Sequence, residues 1–110
     1  MTTDKTGAPT DVAAEADRYT IAVDGQNVGH AEFADRDGQR VFTHTEVDSD
    51  FEGRGLATIL IGEALQKTRD IGLRIVPVCE MVASYVEKHD EYNDVVDPVS
   101  DDVEQWLANR

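Results

Sequence analysis

The chain has 110 residues, 40% of them hydrophobic, which is enough material for one compact core and too little for two. Its formal net charge of -13 excludes proteins that bind nucleic acid through clustered Lys and Arg. No stretch has the apolar length of a membrane helix, and residues 1–10 lack the basic and apolar blocks of a signal peptide. We therefore expect a single-domain cytoplasmic protein without nucleic-acid or membrane partners.

The acidity of the chain has two explanations. The carboxylates solvate the protein in a salt-rich medium, or they create a field that attracts cationic substrates. Asp and Glu are scattered over both termini and between the predicted elements, which favours solvation. The single cysteine, Cys79, cannot form an internal disulfide, and no Cys/His spacing resembles a zinc site, so no metal is expected.

The first half of the sequence predicts an antiparallel meander. Residues 1–17 follow neither apolar period and are expected to form a disordered leader to a domain over 18–110. Alternating residues predict strands at 19–23, 28–33 and 40–47, with turns at Asp24-Gly25 and Asp37-Gly38.

The second half predicts a strand flanked by helices. From Leu56 the apolar period becomes 3.6 and continues to Gly72, a residue suited to a left-handed helix cap. Residues 73–79 then form a buried strand, which we expect to lie parallel to 40–47. Pro77 lacks a ladder donor and marks the place where these two strands part. A second amphipathic helix presents Val82, Tyr85, Val86 and His89, and a capping box at Asp101 and Glu104 begins a last helix held by Val103, Trp106 and Leu107.

A Gly-x-Gly-x-Ala run at residues 53–57 lies between a predicted strand and a helix start. Glycines let the backbone approach a ligand closely, and a helix start directs unpaired N–H groups at an anion. A structural turn without a ligand explains the spacing equally well. A dinucleotide fingerprint would need a third glycine where Thr58 stands, and a nucleotide P-loop would need Gly-Lys-Ser/Thr.

The ordered motifs resemble those of the GNAT superfamily of acyl-CoA N-acyltransferases. The cradle pattern of that family, Arg/Gln-x-x-Gly-x-Gly/Ala, is similar to residues 52–57, with Glu52 departing from the usual Arg or Gln. The residues at 44–47, at 76–79 and at Tyr85, His89 and Tyr92 resemble its short, single-domain YjdJ-type branch. The likeness covers roughly residues 19–96.

This resemblance implies a mixed α+β fold, with a meander, a βαβ unit and a splayed parallel strand pair. It also implies that acetyl-CoA or another acyl-CoA is the donor and that its pantetheine arm lies between the parted strands. The cofactor would contact Val47 and residues Gly53, Arg54, Gly55, Leu56, Ala57 and Thr58. With Glu52 at the leading position, the backbone N–H groups would hold the pyrophosphate and Arg54 would add charge.

The candidate catalytic residues follow from the chemistry of an amine acceptor. Freeing an alkylammonium of its proton at pH 7 costs about 4 to 5 kcal/mol. On a regular strand His44 and Glu46 share a face and point into the cofactor cleft, where either could take that proton, unless a bulge changes the facing. The ordinary alternatives are a hydrogen-bonded sheet histidine and a solvent-facing carboxylate.

Cys79 and Tyr85 are the remaining candidates. Cys79 ends the strand beside 40–47, so its sulfur would lie near the thioester and accept the acyl group, activated by His44; a small buried hydrophobe is the alternative. Tyr85 would protonate the departing CoA thiolate, as a tyrosine does in some GNAT enzymes, although its apolar position also suits packing.

Other classes of function stay open at this point. One is a non-catalytic acyl-CoA-binding or interaction module, because no spare segment is available to hold an acceptor. Another is a thiol redox role for Cys79. For the enzyme we expect a small-molecule or peptide amine acceptor, and a monomer or weak homodimer paired through an exposed strand edge.

Overall fold

A computed structural model describes residues 2–110, which form one six-stranded sheet with three helices. Strands follow each other across the sheet in chain order, antiparallel from the first to the fifth, and the sixth runs parallel to the fifth. The mixed α+β architecture predicted from the sequence is confirmed. The strands are β1 (Thr2–Thr3), β2 (Pro9–Ala14), β3 (Arg18–Val23), β4 (Gln26–Arg36), β5 (Gln39–Val47) and β6 (Arg74–Pro77), and the helices are α1 (Leu56–Asp70), α2 (Glu80–Lys88) and α3 (Asp101–Ala108).

Both predicted turns of the meander are present. Asp24 and Gly25 have φ of 51° and 82°, and Asp37 and Gly38 have φ of 46° and 78°. Left-handed backbone at both central positions gives a tight hairpin turn whose twist matches that of the flanking strands. These turns therefore fix the order β3, β4, β5.

The predicted disordered leader is wrong for residues 2–17; Met1 lies outside the described residues. Thr2–Thr3 pairs with β2, and Asp4 is buried. Pro9–Ala14 forms a strand that pairs with β3 in the register Val12↔Ile21. The physical reason is a short inward alternation, because Thr10 and Val12 are buried while their neighbours are exposed. The strand β3 is consequently an interior strand, and the exposed meander edge that we expected there is covered.

One face of the sheet carries the main core. On that face α1 buries Leu60, Ile61, Ala64, Leu65 and Thr68, which follow the 3.6-residue period of the helix. Gly72 follows the helix with φ of 82°, and its N–H donates to the carbonyl of Arg69, as expected for a left-handed cap. The same face receives Val82 and Val86 of α2.

The opposite face, called the outer face here, is covered by α3 over part of its area. Val103 of α3 packs against Val41 and Val76, which form a separate small core. The predicted capping box is wrong in detail, since the cap is Ser100, whose side chain accepts from the N–H of Val103. This packing reaches the first half of β5 and leaves the outer face of its second half exposed.

The parallel strands part where Pro77 predicts. Their last paired residues are Phe42 and Pro77, after which the N–H of Cys79 donates to the carbonyl of Phe42 at 2.8 Å. The observed β6 is therefore shorter than the predicted strand at 73–79. Beyond this point β5 continues to Val47 without a partner on that side, which leaves a gap in the sheet between β5 and the start of α2.

Candidate active site

A row of unpaired backbone N–H groups lies where β5 leads into α1. Gly53 and Gly55 adopt φ of 79° and 78°, and Gly55 is the N-cap of α1 without a side-chain cap. No acceptor within residues 2–110 bonds the N–H groups of Gly53–Thr58. Because these groups converge at the positive end of the α1 dipole, the segment suits a phosphate anion.

This cradle opens into a groove between α1 and α2. A cavity of about 520 Å³ lies over the cradle, and a second of about 390 Å³ continues along α2. Both are bordered by Ala57, Thr58 and Met81, and both fall within the size range of small-molecule sites. The first also touches Thr45, Glu46, Val47, Phe51, Glu52, Gly53, Gly55 and Leu56. Four of the predicted cofactor residues besides Ala57 and Thr58 therefore line one groove.

Arg54, the remaining predicted cofactor residue, turns toward the N-terminal segment. Its guanidinium lies 2.6 Å from a carboxylate oxygen of Asp4, donates to the hydroxyl of Thr6 at 3.2 Å, and stacks over Phe51. The hydroxyl of Thr6, with the N–H groups of Thr6 and Ala8 and with Arg54, lowers the pKa of Asp4 to about 2. The charge of Arg54 is thus balanced by Asp4, whereas we expected Arg54 to contact the phosphates.

A β-bulge changes the facing of the predicted catalytic residues. The register of β4 and β5 shifts from Glu32↔His44 to Phe33↔Phe42, so Thr43 is the extra residue of β5. A bulge residue breaks the alternation of side chains. Thr45 thereby joins Phe42 on the face of α1, and His44 moves to the outer face. His44 borders neither groove cavity, so our expectation that it points into the cradle cleft is wrong. Glu46 shares the face of His44 and also borders the cavity over the cradle, as we expected.

On the outer face these residues belong to a polar cluster. His30 Nε2 lies 3.2 Å from a carboxylate oxygen of Glu32 and 4.0 Å from one of Glu46, and its ring centroid is 6.3 Å from that of His44. His44 and Glu46 are exposed. The cluster therefore offers two imidazoles and two carboxylates to a ligand that approaches the sheet from this side.

Cys79 lies at the parting of the strands on the α1 side. Its sulfur donates to the Thr45 hydroxyl at 3.4 Å, and the residue is 8% exposed. It contacts neither groove cavity, whereas Thr45 borders the first. The bulge separates it from His44 by the thickness of the sheet, so the expectation that His44 activates this thiol is wrong.

Tyr85 lines the second cavity at the far end of the groove. Its ring stacks on His89 at 3.8 Å, and its hydroxyl lies so close to Gly62 that a Cβ there would be 2.7 Å from it. Burial, with a smaller contribution from the charge of Glu91, raises the pKa of Tyr85. His89 Nδ1 is 2.8 Å from the Tyr85 carbonyl, which can only accept, so Nδ1 carries the hydrogen in this bond.

Sequence reasoning missed the contribution of the N-terminal segment. Asp4 and Arg54 are 50 positions apart, and no periodicity or spacing connects them. The one local signal is the order Asp4-x-Thr6, in which an aspartate can bond the backbone two residues on, and here it does at 2.8 Å. Met81 was also missed, because no sequence pattern distinguishes an exposed apolar helix residue that lines a groove from one that does not.

Residues 2–110 show neither a metal-binding cluster nor a membrane-spanning helix. No group of three or more His, Cys, Asp or Glu side chains there is placed to hold a metal ion. No helix in that range has the length and apolar character required to cross a membrane.

Comparisons with known proteins agree with this geometry. A family model described as GCN5-related N-acetyl-transferase matches residues 18–95. The fold is similar to the solution structure of a GCN5-like protein from Staphylococcus aureus, with a TM-score of 0.62 and 19% identity over 83% of this chain and 91% of that one. A weaker likeness, with a TM-score of 0.44, links it to an aminoglycoside acetyltransferase from an uncultured soil metagenomic sample, in complex with sisomicin; identity is 13% over 86% of this chain and 55% of that one. Among curated proteins no match is found.

At these identities the solved structures bear on the fold alone, and the family model carries the assignment. It spans 78 of the 110 residues and includes the cradle, the bulge, the parted strands and α2. The chain therefore belongs to the GCN5-related N-acetyltransferase family and is an acetyltransferase.

Proposed function

We propose that this protein transfers an acyl group from acyl-CoA, in the simplest case acetyl-CoA, to a primary amine. The observation that carries the proposal is the row of unpaired N–H groups at residues 53–58. It opens into a groove whose first cavity reaches Thr45 and Val47, beside the gap in the sheet. Members of this family use acetyl-CoA as donor. The rival proposal is a module that binds acyl-CoA without transferring it.

The residues present fit CoA. Backbone N–H groups of the cradle would take the pyrophosphate, as helix N-termini do for phosphates in general. The edge of β5 beyond Phe42 has backbone groups that no strand pairs, and the amides of a pantetheine arm would find partners there. Val47 and Met81 supply apolar walls at the two sides of this path. Bound there, acyl-CoA would supply its thioester carbonyl as the acyl donor.

The acceptor would approach from the outer face. The polar cluster of His30, Glu32, His44 and Glu46 lies on that side of β5, and α3 does not reach it. Its carboxylates favour an ammonium group, and His44 is our proposed base for the proton that the amine must lose. The net charge of -13 also favours a cationic acceptor such as a lysine side chain or a polyamine.

The proposed reaction is direct. The neutral amine nitrogen attacks the thioester carbonyl, the C–S bond breaks, and the acyl group remains on nitrogen. His44 takes the amine proton and the Tyr85 hydroxyl gives a proton to the departing sulfur. A tyrosine phenol is protonated at neutral pH, and burial raises the pKa of Tyr85 further, so the proton is present when the sulfur departs.

An acyl-Cys79 intermediate is the alternative route. The thiol is buried behind Thr45, and its hydrogen bond goes to the Thr45 hydroxyl and not to a basic side chain. These two observations favour direct transfer. Incubation with acetyl-CoA followed by intact-mass measurement decides the matter: direct transfer gives no protein adduct, whereas an adduct that Cys79→Ala abolishes establishes the intermediate.

The transfer itself is tested by thiol release from acetyl-CoA with a panel of polyamines and lysine peptides. We expect turnover with at least one cationic amine, and a loss of roughly 100-fold in kcat in His44→Gln with an unchanged Kd for CoA. CoA binding without transfer to any amine would favour the module instead. Failure to bind millimolar CoA would reject both.

A further inference from the structure

The N-terminal arm, residues Thr3–Ala8, lies against the cradle. The N–H of Lys5 donates to the carbonyl of Arg54 at 3.0 Å, and Arg54 Nε donates to the Asp4 carboxylate at 2.7 Å. The Asp4 side chain has no exposed surface. Between the arm and the first turn of α1 is a cavity of about 280 Å³ that borders Gly55 and Thr58 of the cradle.

The cradle, residues 52–57, has no cationic side chain available to a bound phosphate. The leading position is Glu52, a carboxylate, and Arg54 is already balanced by Asp4. Backbone dipoles alone supply partial charges, which are weaker than a formal cation. Any further positive charge must therefore come from outside residues 52–57.

Lys5 is positioned to supply that charge. Its aliphatic chain runs beside Gly55, with Cε 3.3 Å from where a Cβ on that glycine would lie. The ammonium group is the next atom along the chain, and the residue is exposed. Lys5 is one of only three lysines in the sequence, the others being Lys67 and Lys88.

We propose that Lys5 is a phosphate-binding residue of the acyl-CoA site and that the Asp4–Arg54 pair anchors the arm that presents it. This inference rests on the proposed function. The arm is then a part of the donor site that comes from outside the segment matched by the family model, which begins at residue 18. It replaces the cationic side chain that Glu52 does not provide.

Calorimetric titration of the full chain with CoA tests this inference. We expect Lys5→Gln to raise the Kd for CoA about three- to tenfold, as for loss of one charge-assisted contact, and Lys5→Arg to restore it. Lys67→Gln is the matched control: it removes the same charge from the opposite end of α1, about 16 Å along the helix from Leu56, and should leave the Kd unchanged. Parallel titrations with dephospho-CoA, which lacks the 3′-phosphate, show whether Lys5 serves that group or the pyrophosphate.

The outcomes separate the two claims. If Lys5→Gln binds CoA as tightly as the unaltered protein, or if Lys67→Gln weakens binding equally, the inference is wrong and the cradle proposal stands. If the unaltered protein does not bind CoA, both fail together. A Lys5→Gln defect that persists with dephospho-CoA assigns Lys5 to the pyrophosphate, and one confined to CoA assigns it to the 3′-phosphate.

Discussion

Gly53 and Gly72 form a natural pair for testing the cradle one residue at a time. Both have φ near 80°, and a Cβ on either would meet nothing within 4 Å. Each Ala substitution therefore costs about 1 to 2 kcal/mol of stability from left-handed backbone strain. Only Gly53 borders the groove, at the place where a phosphate is proposed to lie.

We accordingly expect Gly53→Ala and Gly72→Ala to lower the free energy of unfolding by similar amounts, measured by urea denaturation. Only Gly53→Ala should weaken CoA binding, because its methyl group occupies ligand space. Equal CoA affinity in the two variants would count against a ligand at the cradle.

Tyr85 is the second residue whose role can be isolated. Tyr85→Phe keeps the ring stacked on His89 and removes only the hydroxyl group, so we expect kcat to fall by roughly 10- to 100-fold with little change in KM. Gly62→Ala is a complementary variant, since its Cβ would displace that hydroxyl. Full activity of Tyr85→Phe in steady-state kinetics would exclude it as the proton donor.

At the scale of elements, the arm is held by a carboxylate with an unusual titration. The pKa of Asp4 is lowered from 3.8 to about 2, first by the Thr6 hydroxyl and also by backbone N–H groups and Arg54. A lowered folded pKa means that the ionised group stabilises the docked arm in full above pH about 4. That contribution is lost as the pH falls through about 2.

We expect an NMR titration of the Asp4 carboxyl carbon to give a midpoint near 2, and Thr6→Val to move it toward 3.8. Thr3→Val is the control, since its side chain makes no described bond to Asp4 and should leave the midpoint in place. A midpoint near 3.8 in the unaltered protein would mean that the arm is not docked as described.

Elements that depend on local pattern could be predicted from the sequence. The hairpin turns need left-handed backbone, which Asp-Gly supplies. The helix α1 is predicted by its apolar period of 3.6 residues and by Gly72 after its end. Pro77 predicted where the strands part, because the absence of its N–H can be seen from the sequence alone. The glycine turn at residues 53–57 is equally local, since Gly53 and Gly55 supply its left-handed backbone.

The parts that depend on long-range pairing could not be predicted. The bulge at Thr43 is visible only as a register shift against β4, yet it moves His44 and Glu46 to the other face. The alternation of buried and exposed residues in β2 is too short to predict a strand, and the strand forms because it pairs with β3. The pairing of Asp4 with Arg54 likewise requires the folded sheet to bring them together.

At the scale of the whole molecule, charge is the dominant feature. With a net charge of -13, the carboxylates repel one another in the compact state. Ion pairs such as Arg18–Asp17, Arg36–Asp37 and Arg69–Asp94 are exposed on the carboxylate side and contribute little. Raising KCl from about 0.05 M to about 0.5 M should therefore raise the midpoint of thermal unfolding, because screening relieves the repulsion. A midpoint that falls or stays constant, measured by circular dichroism, would show that local ion pairs outweigh the net charge.

The central claim is that backbone N–H groups of Gly53–Thr58 hold the phosphates of acyl-CoA. A titration of the ¹⁵N-labelled protein with CoA, followed by amide resonances, tests it most directly. Saturable shifts should be largest for residues 53–58, with smaller shifts at Thr45, Val47 and Met81 along the groove. Amide resonances in this segment that do not move at millimolar CoA, while the rest of the spectrum is intact, would contradict the account.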